Sequence, residues 1–211
     1  VGHTKKYFVN HMGWLYETLK LKIDQYFIVD DIFPEEVCKN LKDLAVDKTA
    51  SLFTTDYYGY YGQDYRERME DISDLIKSKV SIAKAKTYQR SWSFVCDNVS
   101  RGVFPHVDPS SINVNIWVTP DECVEDHNKN GLRIYKKNLD PLIEWNQSTR
   151  NTYNQDPEFV EKYLNGVKYD IIPYRYNRAV IFSGKTFHST HHVHMKPGDE
   201  NRRVNYTFLY N

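Results

Sequence analysis

The second half of the chain is a series of short β-forming runs bounded by turn residues, and this feature constrains the fold most. Within residues 86–211 there are six such runs, with no long helix between them apart from an insertion around 138–166. The runs are TYQRSWSFVCD (87–97), INVNIWVT (112–119), LRIYKK (132–137), KYDIIPY (168–174), RAVIFS (178–183) and RRVNYTFLYN (202–211). Many short strands without intervening helices favour an antiparallel sandwich or barrel.

The beginning of the chain combines one strand with helical patterns. A β-rich run, QYFIVDDIFP, covers residues 25–34. A helix is predicted over residues 34–48, because proline and acidic residues favour its first turn. Val37, Leu41 and Leu44 give this helix one apolar stripe.

Two further segments complete the N-terminal third. Residues 53–65, FTTDYYGYYGQDY, form an aromatic, glycine-punctuated segment that is interpreted as a loop, and helical periodicity resumes over 64–80. We expect residues 1–85 to be mostly helical support for a β-barrel core over 86–211. The chain length suits a single domain, 1–211.

Composition argues against some partners. Formal net charge is zero, with 28 basic and 28 acidic residues, whereas binding to a phosphate backbone favours a basic surface. We therefore expect a small-molecule or protein side-chain substrate rather than nucleic acid. The sequence leaves the oligomeric state open.

The cellular setting is predicted to be cytoplasmic. Cys38, Cys96 and Cys123 are scattered without CxxC spacing, as reduced thiols are. No apolar run approaches the roughly 18 residues of a membrane span. The first residues, VGHTKKYFVN, lack the apolar segment of a secretory signal.

An imidazole and a carboxylate lie two residues apart at the start of one run. His106 and Asp108 point to the same side if the backbone is extended, so they can share one ligand. Pro105 and Pro109 flank the pair and restrict its backbone. Taken alone, the pair is more typical of a solvated surface turn than of a ligand site.

A second segment, VIFSGKTFHSTHHVH (180–194), contains four histidines in seven residues. One of them with His106 and Asp108 makes a set of two histidines and one carboxylate. Such a set leaves metal positions open, as non-haem Fe(II) oxygenases require, and Zn(II) can use the same ligands. The alternative interpretation of this histidine-rich segment is a polar strand exposed to solvent.

The last run places an arginine after the histidine cluster. By strand alternation Arg203, Asn205 and Thr207 share one face, while Arg202 points to the other. If the first face points into the barrel, Arg203 is a buried anion binder, because a buried guanidinium is costly unless it meets an anion.

The order His106-Val-Asp108, His188, Arg203 resembles the 2-oxoglutarate and Fe(II)-dependent oxygenase superfamily. The last strand, RVNYTFLY, is similar to the R-x-N-x-T-F run of AlkB-type demethylases and to the arginine strand of prolyl hydroxylases. The phrases INVNIWVTPDE, NGLRIY and NRAVIF look closer to bacterial and phage oxygenases of the prolyl- and phytanoyl-hydroxylase type.

The resemblance implies a double-stranded β-helix, the jelly-roll, cupin-like version of the barrel. It implies that His106, Asp108 and His188 bind Fe(II) and that Arg203 binds the 5-carboxylate of 2-oxoglutarate. O2 would be the oxidant, with ascorbate as a supporting reductant, and a C–H bond would be hydroxylated with release of succinate and CO2. His188 is chosen for its Phe-His context just after a turn; the other three histidines of the cluster are interpreted as surface or supporting residues.

Further side chains have two open interpretations each. Asn113 or Asn115 could hydrogen-bond the cosubstrate or substrate, or lie on a half-exposed sheet with its polar face in water; Asn205 is the stronger candidate because it lies beside Arg203. The tyrosines of the 53–65 segment form either a lid or a surface hairpin. Substrate contacts are also expected from the insertion, through Trp145, Arg150 and Tyr153.

The competing function is a cupin-like metal- or ligand-binding module without oxygenase activity.

Overall fold

The computed structural model describes residues 25–47, 53–57, 60–65 and 69–211. Its strands are β1 (Tyr26–Asp30), β2 (Phe53–Tyr57), β3 (Tyr60–Asp64), β4 (Tyr88–Cys96), β5 (Val99–Ser100), β6 (Ile112–Trp117), β7 (Leu132–Asn138), β8 (Tyr169–Ile172), β9 (Arg178–Phe182), β10 (Thr186–Thr190), β11 (Val193–His194) and β12 (Arg203–Tyr210). Its helices are α1 (Glu35–Val46), α2 (Glu70–Lys79), α3 (Ser81–Lys84), α4 (Gln147–Asn154) and α5 (Pro157–Tyr163), with 3-10 turns at Asp121–Cys123 and Asp199–Asn201.

Two antiparallel sheets enclose a common interior. The larger sheet has the strand order β1-β9-β6-β12-β4-β3-β2, and the smaller sheet has the order β10-β7-β8. Side chains from both sheets, such as Trp117 and Ile134, pack in one buried cluster between them. β5 and β11 form a separate pair. The predicted fold class, mainly β with N-terminal helices around a jelly-roll core, is confirmed.

Helices cover the outer face of the larger sheet. Val114 of β6 and Phe208 of β12 pack there against Leu41 of α1 and Ile76 of α2. The other face of the sheet points into the barrel, so β6 is buried along its whole length. The alternative of a polar face in water is wrong, since Asn115 is only 3% exposed.

β2 and β3 form an antiparallel pair where a loop was predicted, in agreement with the hairpin alternative for this segment. β2 pairs with β3, and β3 pairs with β4, so the hairpin extends the larger sheet. Strand pairing continues to Asp64, whose carboxylate lies 2.8 Å from Arg90. Because of this pairing, the helix predicted from residue 64 begins at Glu70. The four tyrosines considered for a lid, Tyr57, Tyr58, Tyr60 and Tyr61, lie outside the described side chains.

The insertion between β7 and β8 folds into two short capped helices. The side chains of Asn146 and Asp156 accept hydrogen bonds from backbone N–H groups of α4 and α5. Val160 of α5 packs with Phe187 in a cluster on the outer face of the smaller sheet. Trp145 and Tyr153 pack against the same cluster, and Arg150 is exposed. A substrate contact by these three residues stays a prediction.

The three cysteines, Cys38, Cys96 and Cys123, are free and buried, as the sequence predicts. None of the described helices has the length and apolar character needed to cross a bilayer. The single-domain organisation and the cytoplasmic location remain predictions.

Candidate metal centre

Segments far apart in the sequence place two histidines side by side. His106 follows β5 in an extended segment, and His188 lies in the middle of β10. Their backbones form an antiparallel bridge in which each N–H donates to the other residue's carbonyl at 3.0 Å. Residues paired in this way point their side chains to the same face. The two ring centroids are 4.2 Å apart.

Asp108 completes a compact group of three, called the triad below. Its carboxylate oxygens lie 3.8 Å from His106 Nε2 and 3.3 Å from His188 Nε2. One potential ligand atom from each residue lies within 4.8 Å of the others, and no other group of three such residues is found in the described ranges. The triad therefore has the composition and closeness of a metal site.

Backbone carbonyls fix the orientation of both imidazoles. His106 Nδ1 lies 2.7 Å from the carbonyl oxygen of Phe104, and His188 Nδ1 lies 3.0 Å from that of Thr186. A carbonyl can only accept a hydrogen bond, so each Nδ1 carries the proton and donates it. The lone pair is then on Nε2, the atom that faces Asp108 in both rings.

The electrostatics of the triad favour a cation. The pKa of His106 is lowered to about 4, chiefly by burial and also by the neighbouring His188. Burial acts to raise the pKa of Asp108, but the neighbouring His188, with smaller effects of His106 and Asn113, holds it below its usual range. At neutral pH a neutral His106 and an ionised Asp108 are both ready to act as ligands.

A network behind Asp108 holds its carboxylate in place. Asn113 donates from its side-chain amide to Asp108 Oδ2 and accepts a hydrogen bond from Ser110 Oγ at 2.6 Å. The backbone N–H of Asp108 donates to the carbonyl oxygen of Gly184 at 2.7 Å. A Cβ on Gly184 would lie 2.2 Å from Ser110 Oγ, so this approach requires glycine. Asn113 thus contacts a triad residue, a role that the sequence did not suggest.

Arg203 opens β12 with its side chain buried in the barrel, 1% exposed. Its Nε donates to the carbonyl of Asn130 at 2.8 Å, and its guanidinium lies 5.7 Å from the Trp117 ring. No carboxylate of the described residues lies within 4.0 Å of it. Burial raises the pKa of Cys96, 3.9 Å away, so this neighbour stays a neutral thiol. A buried guanidinium in such surroundings is suited to an anionic ligand.

Strand alternation correctly separates the two neighbouring arginines. Arg202 lies outside the barrel, where its side chain is 30% exposed and contacts Asp199 at 3.0 Å and Asp97 at 3.7 Å. Arg202 is thus paired with acidic residues at the surface, whereas Arg203 faces the interior.

A row of polar side chains continues from Arg203 along the inner face. Asn205 donates from Nδ2 to Thr207 Oγ1 at 3.3 Å, and Thr207 donates to Asn115 Oδ1 at 2.7 Å. All are at most 6% exposed, and Asn205 Oδ1 has no hydrogen-bond partner in the described chain. Asn115 and Asn205 therefore both face the barrel interior; their roles stay predictions.

The other three histidines of the cluster are not part of the triad. His191 accepts a hydrogen bond from Arg133 Nε at 3.1 Å. His192 is exposed, and His194 is half-buried in β11. These positions agree with their interpretation as surface or supporting residues.

Comparison with known proteins identifies the class of fold. No protein-family model and no curated protein sequence matches the chain. Solved structures with the same fold are found, and they include 2-oxoglutarate and Fe(II)-dependent oxygenases. The resemblance seen in the sequence motifs is therefore confirmed at the level of the fold.

Three of these structures illustrate the likeness. The epimerase SnoN from nogalamycin biosynthesis, in complex with Fe3+, alpha ketoglutarate and nogalamycin RO, is 14% identical with a TM-score of 0.58, covering 89% of this chain and 79% of SnoN. HygX from Streptomyces hygroscopicus, with nickel and 2-oxoglutarate bound, is 10% identical with a TM-score of 0.55, covering 88% and 82%. A prolyl hydroxylase from Trichoplax adhaerens, in complex with a hypoxia inducible factor peptide, is 11% identical with a TM-score of 0.54, covering 88% and 83%.

Proposed function

We propose that the protein is an Fe(II)- and 2-oxoglutarate-dependent oxygenase that hydroxylates a C–H bond of a small molecule or a protein side chain. One observation carries this proposal: the compact triad lies in the same barrel as the buried guanidinium of Arg203, which has no carboxylate partner in the described chain. A metal ligand set and an anion anchor together match the needs of a metal-chelating dicarboxylate. The keto acid and metal ions bound in SnoN and HygX support the same pairing here.

In this proposal each side chain has one role. His106, Asp108 and His188 bind the metal, and two histidines with one carboxylate leave its remaining positions for cosubstrate and O2. Arg203 binds the 5-carboxylate of 2-oxoglutarate through a charge-assisted hydrogen bond. Asn205 and Asn115, on the inner faces of β12 and β6, hydrogen-bond the cosubstrate or substrate.

The chain itself orients the ligands and excludes water. When bound, Fe(II) with 2-oxoglutarate and O2 supplies the oxidation of an unreactive C–H bond, with release of succinate and CO2. Asn113 keeps Asp108 oriented, and the Phe104 carbonyl keeps the His106 proton on Nδ1. Buried aromatic side chains exclude water from the surroundings of the triad; the ring centroid of Phe182, for example, lies 4.7 Å from that of His188.

The proposal is tested by reconstituting the protein anaerobically with Fe(II) and 2-oxoglutarate. We expect a visible charge-transfer band, and then succinate release on addition of O2 and ascorbate. Asp108→Ala should lose both signals. His127→Ala, which changes an exposed histidine in a polar loop, serves as the matched control and should keep both.

Two results would contradict the proposal. The first is bound iron without the band and without succinate; Zn(II) as the preferred metal would then assign a cupin-like binding module. The second is equal activity of wild type and Asp108→Ala. Product analysis separates hydroxylation from other oxidative outcomes. Such outcomes are relevant because SnoN, which has the same fold, is an epimerase.

A further inference from the structure

A cavity lies on the face of the smaller sheet that points away from the barrel. It has a volume of about 300 Å³. Tyr135, Tyr169 and Ser189, from β7, β8 and β10, form its floor. Tyr135 and Tyr169 are directly paired and so share a face, while His188, one residue before Ser189, points into the barrel. The cavity is therefore separated from the triad by the sheet itself.

The insertion and the segment before His106 close the sides of this cavity. The turn between α5 and β8, residues 164–167, covers it from one side. Residues 103–105 form the opposite wall and present the ring of Phe104. Three aromatic residues, Phe104, Tyr135 and Tyr169, therefore line the cavity.

The charged groups around the cavity are mainly cationic. Arg133 lies over the Tyr169 ring at 5.4 Å and uses its Nε for His191, so its terminal nitrogens are available. Arg101 contacts the one lining carboxylate, Glu161, at 2.9 Å, and both side chains of that pair are about half or more exposed, 65% and 49%. Burial lowers the pKa of His192 on the rim, and the nearby Arg133 and Arg101 lower it further.

A buried hydroxyl without a protein partner lies in the cavity floor. Ser189 is 2% exposed, and its Oγ has no hydrogen-bond partner among the described residues. Burying a hydroxyl in this way costs free energy unless a ligand or solvent group completes the hydrogen bond. An oxyanion supplies an acceptor for this hydroxyl and a counter-charge for Arg133.

We propose that this cavity binds a small aromatic oxyanion, with its phosphate or carboxylate group on Arg133 and Ser189 and its ring against Tyr135 and Tyr169. The volume is at the lower end of small-molecule sites, which fits one ring with one oxyanion group. The lining residues of the site include none of the triad and not Arg203, so its binding test has a readout separate from the proposed iron chemistry.

The test is calorimetric titration of the full chain with phenyl phosphate, benzoate and inorganic phosphate, each in the presence of saturating 2-oxoglutarate to occupy the barrel. We expect saturable binding of phenyl phosphate or benzoate, with inorganic phosphate weaker because it lacks the ring. The stronger of the two aromatic probes identifies the oxyanion. Binding should be about tenfold weaker in both Arg133→Gln and Ser189→Ala, because each removes one charge-assisted hydrogen bond. His127→Ala, at an exposed position outside the cavity lining, should leave it unchanged.

Thermal unfolding shows whether a substitution has weakened probe binding directly or has only destabilised the fold. The Ser189 hydroxyl has no hydrogen-bond partner in the described part of the chain, so Ser189→Ala without probe should melt at the wild-type temperature or above it. Its stabilisation by the aromatic probe should nevertheless be smaller than that of wild type. The proposal is overturned if neither aromatic probe binds wild type below about 1 mM, if both variants bind like wild type, or if His127→Ala weakens binding as much as they do.

Discussion

The adjacent strands β6 and β12 bury both of their faces, yet the two faces have opposite chemistry. The outer face carries apolar side chains such as Val114 and Phe208, which pack under the N-terminal helices. The inner face carries Arg203, Thr207 and Asn115, which are as deeply buried but polar. The same two strands thus contribute a hydrophobic core on one side and a ligand-binding interior on the other.

The difference teaches which residues serve stability and which serve binding. Apolar burial stabilises a fold directly, by about 25 cal/mol per Å². Buried polar groups oppose folding unless they are hydrogen-bonded, so a row of them inside a barrel indicates a use other than stability. Substitutions on the outer face should therefore change unfolding, and substitutions on the inner face should change ligand affinity.

The largest expected effect is on the outer face. Phe208→Ala should lower the free energy of unfolding by about 3–5 kcal/mol, because it removes a fully buried ring and leaves a cavity. Urea unfolding measures the loss. Leu142→Ala is the control, since Leu142 is 92% exposed and should change little. A loss under about 1 kcal/mol for Phe208→Ala would contradict the conclusion that the outer face stabilises the fold.

The matching change on the inner face is Arg203→Met. We expect 2-oxoglutarate to bind about 10- to 100-fold more weakly, since a charge-assisted hydrogen bond contributes about 1.5–3 kcal/mol. Stability should be nearly unchanged, because an apolar group of similar size often replaces a buried charge without loss. Titration of the metal-loaded protein together with urea unfolding measures both quantities. Unchanged 2-oxoglutarate affinity would remove Arg203 from the proposed role.

The third prediction concerns the support of the triad. Asn113→Ala should weaken metal binding about tenfold, because loss of a hydrogen bond that orients a ligand typically costs 10- to 100-fold in affinity. Asn115→Ala is the matched control: Asn115 lies two residues further on the same face, where its side-chain oxygen accepts a hydrogen bond from Thr207. Competition with a chromophoric chelator measures both affinities. Equal losses in the two variants would argue against a specific role of Asn113.

The smallest effect is expected at the neighbouring surface arginine. Arg202→Ala should change the free energy of unfolding by at most about 1 kcal/mol, since its ion pairs are partly exposed. It should not alter 2-oxoglutarate affinity. If Arg202→Ala lost as much 2-oxoglutarate affinity as Arg203→Met, the proposal that only Arg203 binds 2-oxoglutarate would be wrong.

The sequence predicts the barrel strands and the first helix well, because both depend on local patterns. Alternation along β6 and β12 separates the inner from the outer side chains. In α1, Leu41 of the predicted stripe is buried, and Val37 and Leu44 are partly buried against the same core. The resemblance to the oxygenase superfamily, rather than periodicity, proposes His106, Asp108 and His188 as a set, and the structure brings these three residues together.

What the sequence misses depends on contacts between distant segments. The β2–β3 hairpin lacks a clear alternation of apolar and polar residues, and pairing with β4 makes it a strand pair. The backbone hydrogen bond from Asp108 N–H to the carbonyl of Gly184 joins residues 76 positions apart along the chain. Local periodicity carries no information about such a contact.

The position of β12 has a consequence for how the protein is made. β12 is the last described strand in order of synthesis, but it lies between β6 and β4 near the middle of the larger sheet. A growing chain cannot complete that sheet until β12 has left the ribosome, and such non-local pairing slows folding. Because β12 also carries Arg203, an incomplete chain should lack the anion anchor even if the triad residues have already been synthesised.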